Sequence, residues 1–402
     1  MDPIDRFKER ACTAVDAQRR ALTQLSTRIH GCPELQFEEQ RAAGWLADYL
    51  ESVGFTVERQ AYGLPTAFAA RLGSGHPQVA VLCEYDALPG IGHACGHNII
   101  AAAGAGAGAG LAGLIRETGG TLVVLGTPAE EGGGGKILMA RQGAFEGMDA
   151  AMMVHPAGMD LAAMHVLAVS QIEVEYSGRA AHASAFPHQG VNALDGLITA
   201  YNAIAQLRQH IRATERIHGI ITDGGQAANI VPVRAAGEFM VRAASERRLA
   251  QLKRRVESCF HAGAQASGAQ LTMRTVGEDY SDMHTNQPLS AAYAANMERL
   301  GRRLADITNV LAAVAGSTDM GNVSKLVPSI HPMIAVSPPT VPLHSPEFAQ
   351  WAGSEDGHQA VVDGAKALAM TALDVLLDQR LLADTRAAYV AAQQGGAVSA
   401  DR

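Results

Sequence analysis

The sequence predicts an α/β protein built from two domains, with one domain inserted into the other. The chain has 402 residues, a length that fits two domains better than one. Before residue 169, helical segments alternate with short apolar runs typical of strands, and this alternation indicates helices packed on a sheet. From residue 169 onward the order changes to βαββαβ, the order of a ferredoxin-like domain.

Two amphipathic helical segments open the chain, at 4–30 and 37–53, and the Gly31-Cys32-Pro33 break separates them because a helix does not cross it. Runs of β-type residues follow at 66–72, 78–83 and 121–126. The segment 99–115 is rich in alanine and glycine, whose small side chains give little transfer free energy into lipid. We therefore expect a buried helix there and no association with a membrane.

The inserted domain is predicted from alternating and helical patterns. Strands are expected at 169–176, 217–222, 229–241 and 270–276, and helices at 191–210 and 245–266. Helical and strand patterns return at 290–304 and 329–336. The predicted first domain is therefore 1–168 with 281–392, and the predicted insertion is 169–280. A disordered tail is expected at 393–402.

The composition excludes several kinds of partner and compartment. The formal net charge is −8, and no run of Lys or Arg is long enough to follow a phosphate backbone, so nucleic acid is not expected as a partner. Residues 1–20 carry many charges and lack the apolar segment of a signal peptide, which predicts a cytoplasmic protein. The five scattered cysteines do not form the pattern of a disulfide framework.

Three glycine-rich stretches do not meet the requirements for nucleotide binding. The glycines at 132–135 lie between two residues that do not fit a phosphate loop. Glu130 stands where the loop requires glycine, and Ile137 stands where it requires serine or threonine. The stretch 104–110 lacks the third glycine of the dinucleotide fingerprint, and the pair at 224–225 does not open a helix. A phosphate-binding loop is therefore not predicted.

The segment 84–98 concentrates residues that bind metals. A predicted strand ends at Cys83 and delivers Glu84 and Asp86 into a turn, and Cys95 and His97 follow two positions apart. A thiolate and an imidazole at that spacing can face one ion. Alone, a cysteine is most often a small buried apolar residue, and a loop histidine is usually a surface group. The density of ligand-type residues beside a strand end is what indicates a metal site.

Further ligand-type side chains stand at strand ends or in loops. Glu130 and Glu131 follow the predicted strand 121–126, and a nearby cation would keep both adjacent carboxylates ionised. His155 follows an apolar run, and His344 lies in a loop bounded by prolines. Each has an ordinary alternative, since an acidic pair in a turn is commonly solvated. Taken together, these positions favour one shared site.

The motifs of the chain resemble those of metallopeptidase family 20, the aminoacylase, carboxypeptidase G and hippurate hydrolase group. Within it, the resemblance is closest to the Xaa-Arg (β-alanyl) dipeptidase and aminobenzoyl-glutamate hydrolase branch, and it extends from about residue 30 to residue 348. The motifs are E-Y-D-A-L-P-G (84–90), H-A-C-G-H-N (93–98), P-A-E-E-G-G-G-G-K (128–136), V-H-P (154–156), S-G-R-A-A-H-A-S (177–184), G-G-Q-A-A-N-I-V-P (224–232), G-S-T-D-M-G-N-V-S (316–324) and H-S-P-E-F (344–348). The resemblance implies a zinc-peptidase-like catalytic domain with a mixed sheet flanked by helices, and an inserted ferredoxin-like domain that serves as lid and dimerisation domain.

The resemblance also implies roles for individual residues. The implied ligands of two divalent ions, zinc or manganese, are Cys95, His97, Glu131, His155 and His344. Glu130 matches the general base, and His182 matches the histidine that reaches across a homodimer to steady the oxyanion in the partner's site. Substrate contacts are implied for Asn229, Ser317 and Asp319.

One position departs from the pattern of the family. Many relatives have a histidine where Glu84 stands, in a His-x-Asp motif. We therefore leave Glu84 out of the expected ligand set. Asp86, the acidic residue of the same motif, is expected to orient a ligand.

These expectations describe a metal-dependent amidohydrolase that cleaves a dipeptide or an N-acyl amino acid with an activated water, whose proton Glu130 takes. Two alternatives are a thiol hydrolase that depends on Cys95 and a non-catalytic binding protein of the same fold. Xaa-Arg dipeptides, β-alanyl dipeptides, aminobenzoyl-glutamate and other N-acyl amino acids are all open as substrates. Arg234 and Arg242 are both candidates for anchoring a substrate carboxylate.

Overall fold

The computed structural model of the chain describes residues 3–306 and 316–395. The chain divides into two compact units, one formed by Met1–His165 with Met283–Arg402 and one formed by the inserted Val166–Asp282. The predicted α/β fold class is confirmed.

The first unit begins with helices and then alternates strands and helices. Its elements before the insertion are α1 (Pro3–His30), α2 (Gln40–Ser52), β1 (Thr56–Arg59), β2 (Phe68–Ser74), β3 (Gln78–Cys83), α3 (His97–Ala112), α4 (Ile115–Thr118), β4 (Gly120–Gly126), α5 (Gly135–Arg141), β5 (Ala150–Met152) and β6 (His155–Ala157).

The inserted unit has the predicted βαββαβ order. Its elements are β7 (Ala168–Ser177), α6 (Ala193–Leu207), β8 (Arg216–Asp223), β9 (Arg234–Ala243), α7 (Glu246–Ser267) and β10 (Gln270–Tyr280). The first unit then resumes with α8 (Gln287–Arg299), α9 (Met320–Ser324), β11 (Ser329–Ile330), β12 (Met333–Ala335), α10 (Pro346–Ala352), α11 (Glu355–Leu377) and α12 (Gln379–Gly395).

Six strands of the first unit's described residues form a mixed sheet in the order β1-β2-β4-β3-β5-β11. β4, β3, β5 and β11 run parallel to one another, whereas β2 pairs antiparallel with β4 and with β1. Strand β4 is buried along its whole length, as expected for a strand covered on both faces. The carboxyl ends of the parallel strands therefore meet at one edge of the sheet.

Helix α3 lies in the core of the first unit, and every residue from its start to Leu111 is buried. Its glycines permit close packing: a Cβ on Gly104 would lie 2.6 Å from Cys83 Sγ, and one on Gly106 would lie 2.8 Å from Ala365 Cβ. The predicted buried helix is therefore present. Of the helices that the structure describes, none combines the length and the apolar character needed to cross a membrane.

The inserted unit has an antiparallel sheet in the order β10-β7-β9-β8. Its core is formed by apolar side chains of the sheet and of α6 and α7, among them Ile172, Leu197, Phe239 and Phe260. Helix α6 begins where Asn192 accepts hydrogen bonds from the backbone N–H groups of Leu194 and Asp195, the arrangement of an N-cap. In this sheet β8 is an edge strand.

Three sequence predictions differ from the structure. The strand expected at 229–241 begins only at Arg234, because residues before it pair with the segment around His182. The strand expected at 329–336 is two short strands, because the His331-Pro332 pair interrupts it. The tail expected at 393–402 starts as helix, since α12 continues to Gly395, and residues 396–402 lie outside the described part of the chain.

Candidate metal centre

The candidate site lies in the first unit, at the edge where parallel strands β3, β4 and β5 end. Glu84 follows β3 directly, Glu130 stands shortly after β4, and His155 opens the short strand that follows β5. Chain segments leaving the carboxyl ends of parallel strands converge at one edge, where α/β proteins place their ligands. The sheet topology therefore brings together residues that are far apart in sequence.

A tight turn sets the direction of the side chains of Cys95 and His97. Gly96, between them, has φ of 76°, in the left-handed region that favours glycine. A Cβ at this position would lie 2.4 Å from Pro156 Cγ, so the turn has no room for a larger residue. His97 begins α3, and Cys95 Sγ lies 3.3 Å from both His155 Nε2 and His344 Nε2.

In the part of the chain that the structure describes, three groups of side chains have ligand atoms within 4.8 Å of one another. They are Cys95 with His97 and His155, Cys95 with Glu131 and His344, and Glu84 with His97 and Glu130. The five ligands expected from the sequence therefore lie close together in two groups that share the thiol of Cys95. A donor set of thiolate, imidazole and carboxylate suits zinc or manganese.

Two of these ligand atoms also have the surroundings that a metal requires. His97 Nε2 and Glu131 Oε1 are buried and have no hydrogen-bond partner among the described residues. Buried polar atoms in proteins are otherwise almost always paired, because an unpaired one costs free energy. The residues present therefore fit bound divalent ions.

Asp86 contacts two of the candidate ligands. Its Oδ1 lies 3.0 Å from His97 Nδ1, and its Oδ2 accepts a hydrogen bond of 2.9 Å from the backbone N–H of Glu131. Burial acts to raise the pKa of Asp86, but the charge of His97 and its hydrogen bond outweigh burial and hold that pKa below its ordinary value. A carboxylate behind a ligand histidine is a common arrangement in metal sites.

His155 is set up to bind through one nitrogen. Its Nδ1 lies 2.8 Å from the carbonyl oxygen of Pro156, which accepts a hydrogen bond and leaves Nε2 directed at Cys95. Burial, together with the stacked ring of His331 at 5.4 Å, lowers the pKa of His155 well below its ordinary value. The neutral imidazole is the form that binds a metal.

Glu130 lies among other carboxylates in a buried position. Burial and the neighbouring charges of Glu84 and Glu131 raise its pKa well above the ordinary value of a glutamate. The preceding residue, Ala129, has φ of 57°, a left-handed conformation that is uncommon for any residue except glycine. Such strained backbone is concentrated at functional sites in proteins.

The site opens to solvent on the side of His344. This side chain is 53% exposed, whereas the side chain of Glu131, 3.6 Å from it, is 8% exposed. His344 also has a left-handed backbone with φ of 59°, and its N–H donates a hydrogen bond of 3.0 Å to the carbonyl oxygen of Ala94. The loop that carries His344 is therefore tied to the loop that carries Cys95.

Residues 80–373 match the model of Peptidase family M20/M25/M40. The chain belongs to this family. The match confirms the resemblance indicated by the sequence motifs, and the family is one of metal-dependent peptidases.

Two curated relatives and one solved structure illustrate the similarity of this M20 peptidase to other members. It is 39% identical over 398 residues to an Xaa-Arg dipeptidase of Mus musculus, covering 95% of this chain and 92% of the relative. It is 30% identical over 463 residues to one of the component chains of the p-aminobenzoyl-glutamate hydrolase of Escherichia coli (strain K12), covering 95% of this chain and 94% of the relative. A dinuclear metal-binding M20 peptidase of Bacillus subtilis superposes with a TM-score of 0.70 at 20% identity, covering 90% of this chain and 99% of that one.

These relatives establish the class of reaction. This M20 peptidase is a hydrolase that acts on amide bonds, as predicted.

Two expected functional residues of the M20 peptidase lie in the inserted unit. His182 and Asn229 are exposed and lie close together, because Ala183 N–H donates a hydrogen bond of 3.0 Å to the carbonyl oxygen of Asn229. Of the two arginine candidates, Arg234 is already paired, with its nitrogens 2.8 Å from Glu175 and 2.5 Å from Asp223. Arg242 is half-buried.

Asp319, for which the resemblance implies a substrate contact, pairs with Lys136 in the structure. Its side chain is fully buried and accepts hydrogen bonds from the backbone N–H of Lys136, at 3.0 Å, and from Lys136 Nζ, at 2.6 Å. Burial raises the pKa of Asp319 to about 6. Ser317, in the same segment, is half-buried.

Two residues at the site of this M20 peptidase are absent from the sequence-based set. Lys136 is fully buried beside Glu84 and Asp319, and the only signal in the sequence is a lysine that follows a glycine run. Glu39 is fully buried and accepts a hydrogen bond from Ala129. Glu39 lies in the segment where the family resemblance begins, but nothing in that segment alone links it to Glu130.

Proposed function

We propose that this M20 peptidase hydrolyses the amide bond of a dipeptide or an N-acyl amino acid, using a water activated by two divalent ions and Glu130 as general base. The observation that carries this proposal is the convergence of five ligand side chains beside a buried glutamate. The five are Cys95, His97, Glu131, His155 and His344. Bound divalent ions polarise an amide carbonyl and make a water molecule more acidic.

Glu130 is the residue that takes a proton from the attacking water and delivers it to the leaving amine. Its raised pKa supports this role, because a carboxylate that holds a proton more firmly is a better base. Glu130 Oε2 lies 3.9 Å from His97 Nε2, so Glu130 stands beside the group of ligands. Glu131 points its Oε1 toward His97 and His344 and is assigned a ligand role.

His182 is proposed to donate a hydrogen bond to the oxygen that becomes negative during the reaction. The backbone N–H of Ala185 donates to His182 Nδ1 over 3.3 Å. In the neutral ring the hydrogen is then on Nε2, on an exposed side chain that is able to donate outward. A donor of this kind contributes about 3 kcal/mol to transition-state stabilisation in comparable sites.

We propose a homodimer in which His182 of one chain serves the site of the other. The inserted unit supports such an interface, since β8 is an edge strand of its sheet and carries Ile220 and Ile221, 61% and 42% exposed. An exposed apolar edge strand is suited to pairing with a second strand. Ile198, Ile230 and Val233 of the same unit are exposed as well.

The substrate class follows from the names of the relatives and from the site. The relatives are named for Xaa-Arg dipeptides and p-aminobenzoyl-glutamate, which share an amide bond next to a free carboxylate. We propose a substrate of the same kind, with Asn229 and Ser317 as binding residues.

The five free cysteines support a reducing compartment, and we propose the cytoplasm.

A panel of substrates tests this proposal. The enzyme is first stripped of metal with a chelator. It is then mixed with Xaa-Arg dipeptides, β-alanyl dipeptides, aminobenzoyl-glutamate and N-acetyl amino acids, with and without added zinc or manganese. The products are identified by mass spectrometry. The proposal predicts cleavage only after metal is restored. Cleavage by chelated enzyme that iodoacetamide abolishes would support the Cys95 thiol hydrolase instead, and metal binding without cleavage of any amide would support a binding protein.

A further inference from the structure

Glu84 has two carboxylate oxygens in very different surroundings. The side chain is fully buried, and its Oε1 lies 2.6 Å from Lys136 Nζ. Its Oε2 has no hydrogen-bond partner among the residues that the structure describes, and it faces His97 Nε2 at 3.6 Å. One oxygen therefore forms an ion pair with Lys136, and the other is directed at a ligand atom of the candidate metal centre.

Lys136 connects Glu84 to Asp319 in a buried network of charges. Its Nζ lies 2.6 Å from both Glu84 Oε1 and Asp319 Oδ1, and all three side chains are fully buried. Burial acts to lower the pKa of Lys136, but Asp319 and Glu84 outweigh burial and hold that pKa above its ordinary value. One ammonium between two carboxylates leaves a net negative charge in the interior, and an uncompensated buried charge is strongly destabilising.

Three carboxylates surround the nitrogen of His97 that faces Glu84. Asp86 Oδ1 lies 3.0 Å from His97 Nδ1, and His97 Nε2 has no hydrogen-bond partner among the described residues. This nitrogen faces oxygens of Glu84 at 3.6 Å, Glu131 at 3.7 Å and Glu130 at 3.9 Å. Buried carboxylates that lie close together repel one another unless a cation lies among them.

The 3.6 Å between Glu84 Oε2 and His97 Nε2 is close to the separation of two donors that share one ion. Metal–nitrogen and metal–oxygen bonds of about 2.1 Å place neighbouring donors about 3 to 3.5 Å apart in tetrahedral or octahedral geometry. A direct hydrogen bond between Glu84 Oε2 and His97 Nε2 is excluded in the described geometry, since 3.6 Å exceeds hydrogen-bond distance. Ligand carboxylates in metal sites are commonly held by a second hydrogen bond, and Lys136 is placed to provide one.

We propose that Glu84 Oε2 is a further ligand of the ion that His97 binds, and that Lys136 and Asp319 hold Glu84 in position. This inference rests on the proposed metal centre. A ligand role for Glu84 explains why a glutamate stands where many relatives have a histidine. A buried carboxylate needs a positively charged partner, and Lys136 of the same chain is that partner. Replacing a nitrogen donor by a carboxylate oxygen favours manganese over zinc at this position, because manganese prefers oxygen ligands more strongly.

The test compares the purified full-length protein with E84Q. Each is stripped with chelator and titrated with Mn²⁺ and, separately, with Zn²⁺, and the bound metal is counted by mass spectrometry of the eluted metal. Of the two Mn²⁺ ions, the one that is held more weakly is expected to bind to E84Q at least about tenfold less tightly than to the wild type. The loss of affinity for Zn²⁺ is expected to be smaller. Unchanged Mn²⁺ affinity in E84Q, with two ions bound by the wild type, would overturn it. A wild type that binds no metal would instead overturn the proposed function.

Thermal unfolding gives a second readout that separates a ligand role from a structural one. In E84Q the Lys136–Asp319 pair remains and the net buried charge disappears, so the metal-free variant is expected to melt at or above the metal-free wild type. The increase in Tm on adding Mn²⁺ is expected to be smaller in E84Q. If Glu84 only pairs with Lys136, the metal-free variant melts lower and the increase with Mn²⁺ is unchanged.

A matched control is available elsewhere in the first unit. Asp374 is a buried carboxylate whose Oδ1 lies 2.6 Å from Lys8 Nζ, in a network that does not include any of the candidate ligands. D374N makes the same kind of change as E84Q at a buried lysine–carboxylate pair. It is expected to lower Tm without changing the affinity for Mn²⁺, and an equal loss of affinity in D374N would show that the effect of E84Q is not specific to Glu84.

Discussion

Glu39 Oε1 accepts a hydrogen bond of 2.8 Å from the backbone N–H of Ala129, although the two residues are 90 positions apart in sequence. Its other oxygen accepts a hydrogen bond of 2.9 Å from Thr66 Oγ1. Ala129 has a left-handed backbone and immediately precedes Glu130. Glu39 therefore fixes the strained residue on which the direction of the proposed general base depends.

Removing this anchor is expected to lower kcat. In E39A the N–H of Ala129 and the hydroxyl of Thr66 lose a buried partner, at a cost of about 1 to 3 kcal/mol in the free energy of unfolding. Because the loop of Glu130 is then held less firmly, kcat is expected to fall more than KM changes. E39Q keeps an oxygen that accepts from Ala129 and is expected to recover most of kcat. Equal losses of kcat in E39A and E39Q would contradict a positioning role.

The charge of Glu39 makes stability depend on pH. Burial raises the pKa of Glu39 from 4.5 to about 7, despite hydrogen bonds that act to lower it. The folded protein therefore keeps this proton over a range in which the unfolded chain has lost it, so the free energy of unfolding falls as pH rises from about 4.5 to about 7. E39Q removes this contribution, which is on the order of 3 kcal/mol.

Urea unfolding at several pH values checks the sign of this effect. The wild type is expected to lose stability relative to E39Q between pH 5 and about 7, and the difference is expected to level off above that range. Parallel curves for the two proteins would mean that Glu39 has an ordinary pKa in the folded state.

Gly96 is expected to be essential for metal binding. G96A places a Cβ 2.4 Å from Pro156 Cγ at a position with φ of 76°, so the turn between Cys95 and His97 must open. G54A is a matched control, since Gly54 has φ of 103° and open space around the added Cβ. G54A is expected to cost about 1 to 2 kcal/mol of stability with normal metal content. Normal metal content in G96A would contradict the placement of the ligands.

The proposed role of His182 across a dimer predicts complementation between two inactive variants. H182A keeps its metal ligands and Glu130, whereas E130Q keeps His182. When the two are unfolded together and refolded, mixed dimers contain one complete site, so the mixture is expected to recover roughly a quarter of the wild-type rate. Full activity of a monomer, or no recovery in mixtures shown to contain mixed dimers, would rule out the role in the partner's site.

The sequence predicted much of the site because the fold leaves little freedom there. Glu131 and His155 stand just beyond strands that are parallel in the sheet, so their neighbourhood follows once those strands are recognised. The Cys95-x-His97 spacing is local and directly visible. The inserted βαββαβ order was also predictable, since each element carries its own periodicity.

The remaining parts of the site depend on contacts between distant segments. Lys136 lies 183 positions from Asp319, and no local pattern indicates that the lysine is buried. The contact of Asp319 with Lys136 was not predicted for this reason, because the motif of Asp319 places its segment near the site but does not show the partner of the carboxylate. Glu39 was missed in the same way, since its role is visible only in its bond to Ala129.

The most direct test of the proposed mechanism is the metal content and turnover of E130Q. A glutamine has nearly the same shape but cannot take a proton, so kcat is expected to fall by about 10² to 10⁴ while both ions stay bound. E131Q is the matched control at the neighbouring residue and is expected to lose metal. Turnover near the wild-type rate in E130Q, or loss of metal together with activity, would contradict the assignment of Glu130 as general base.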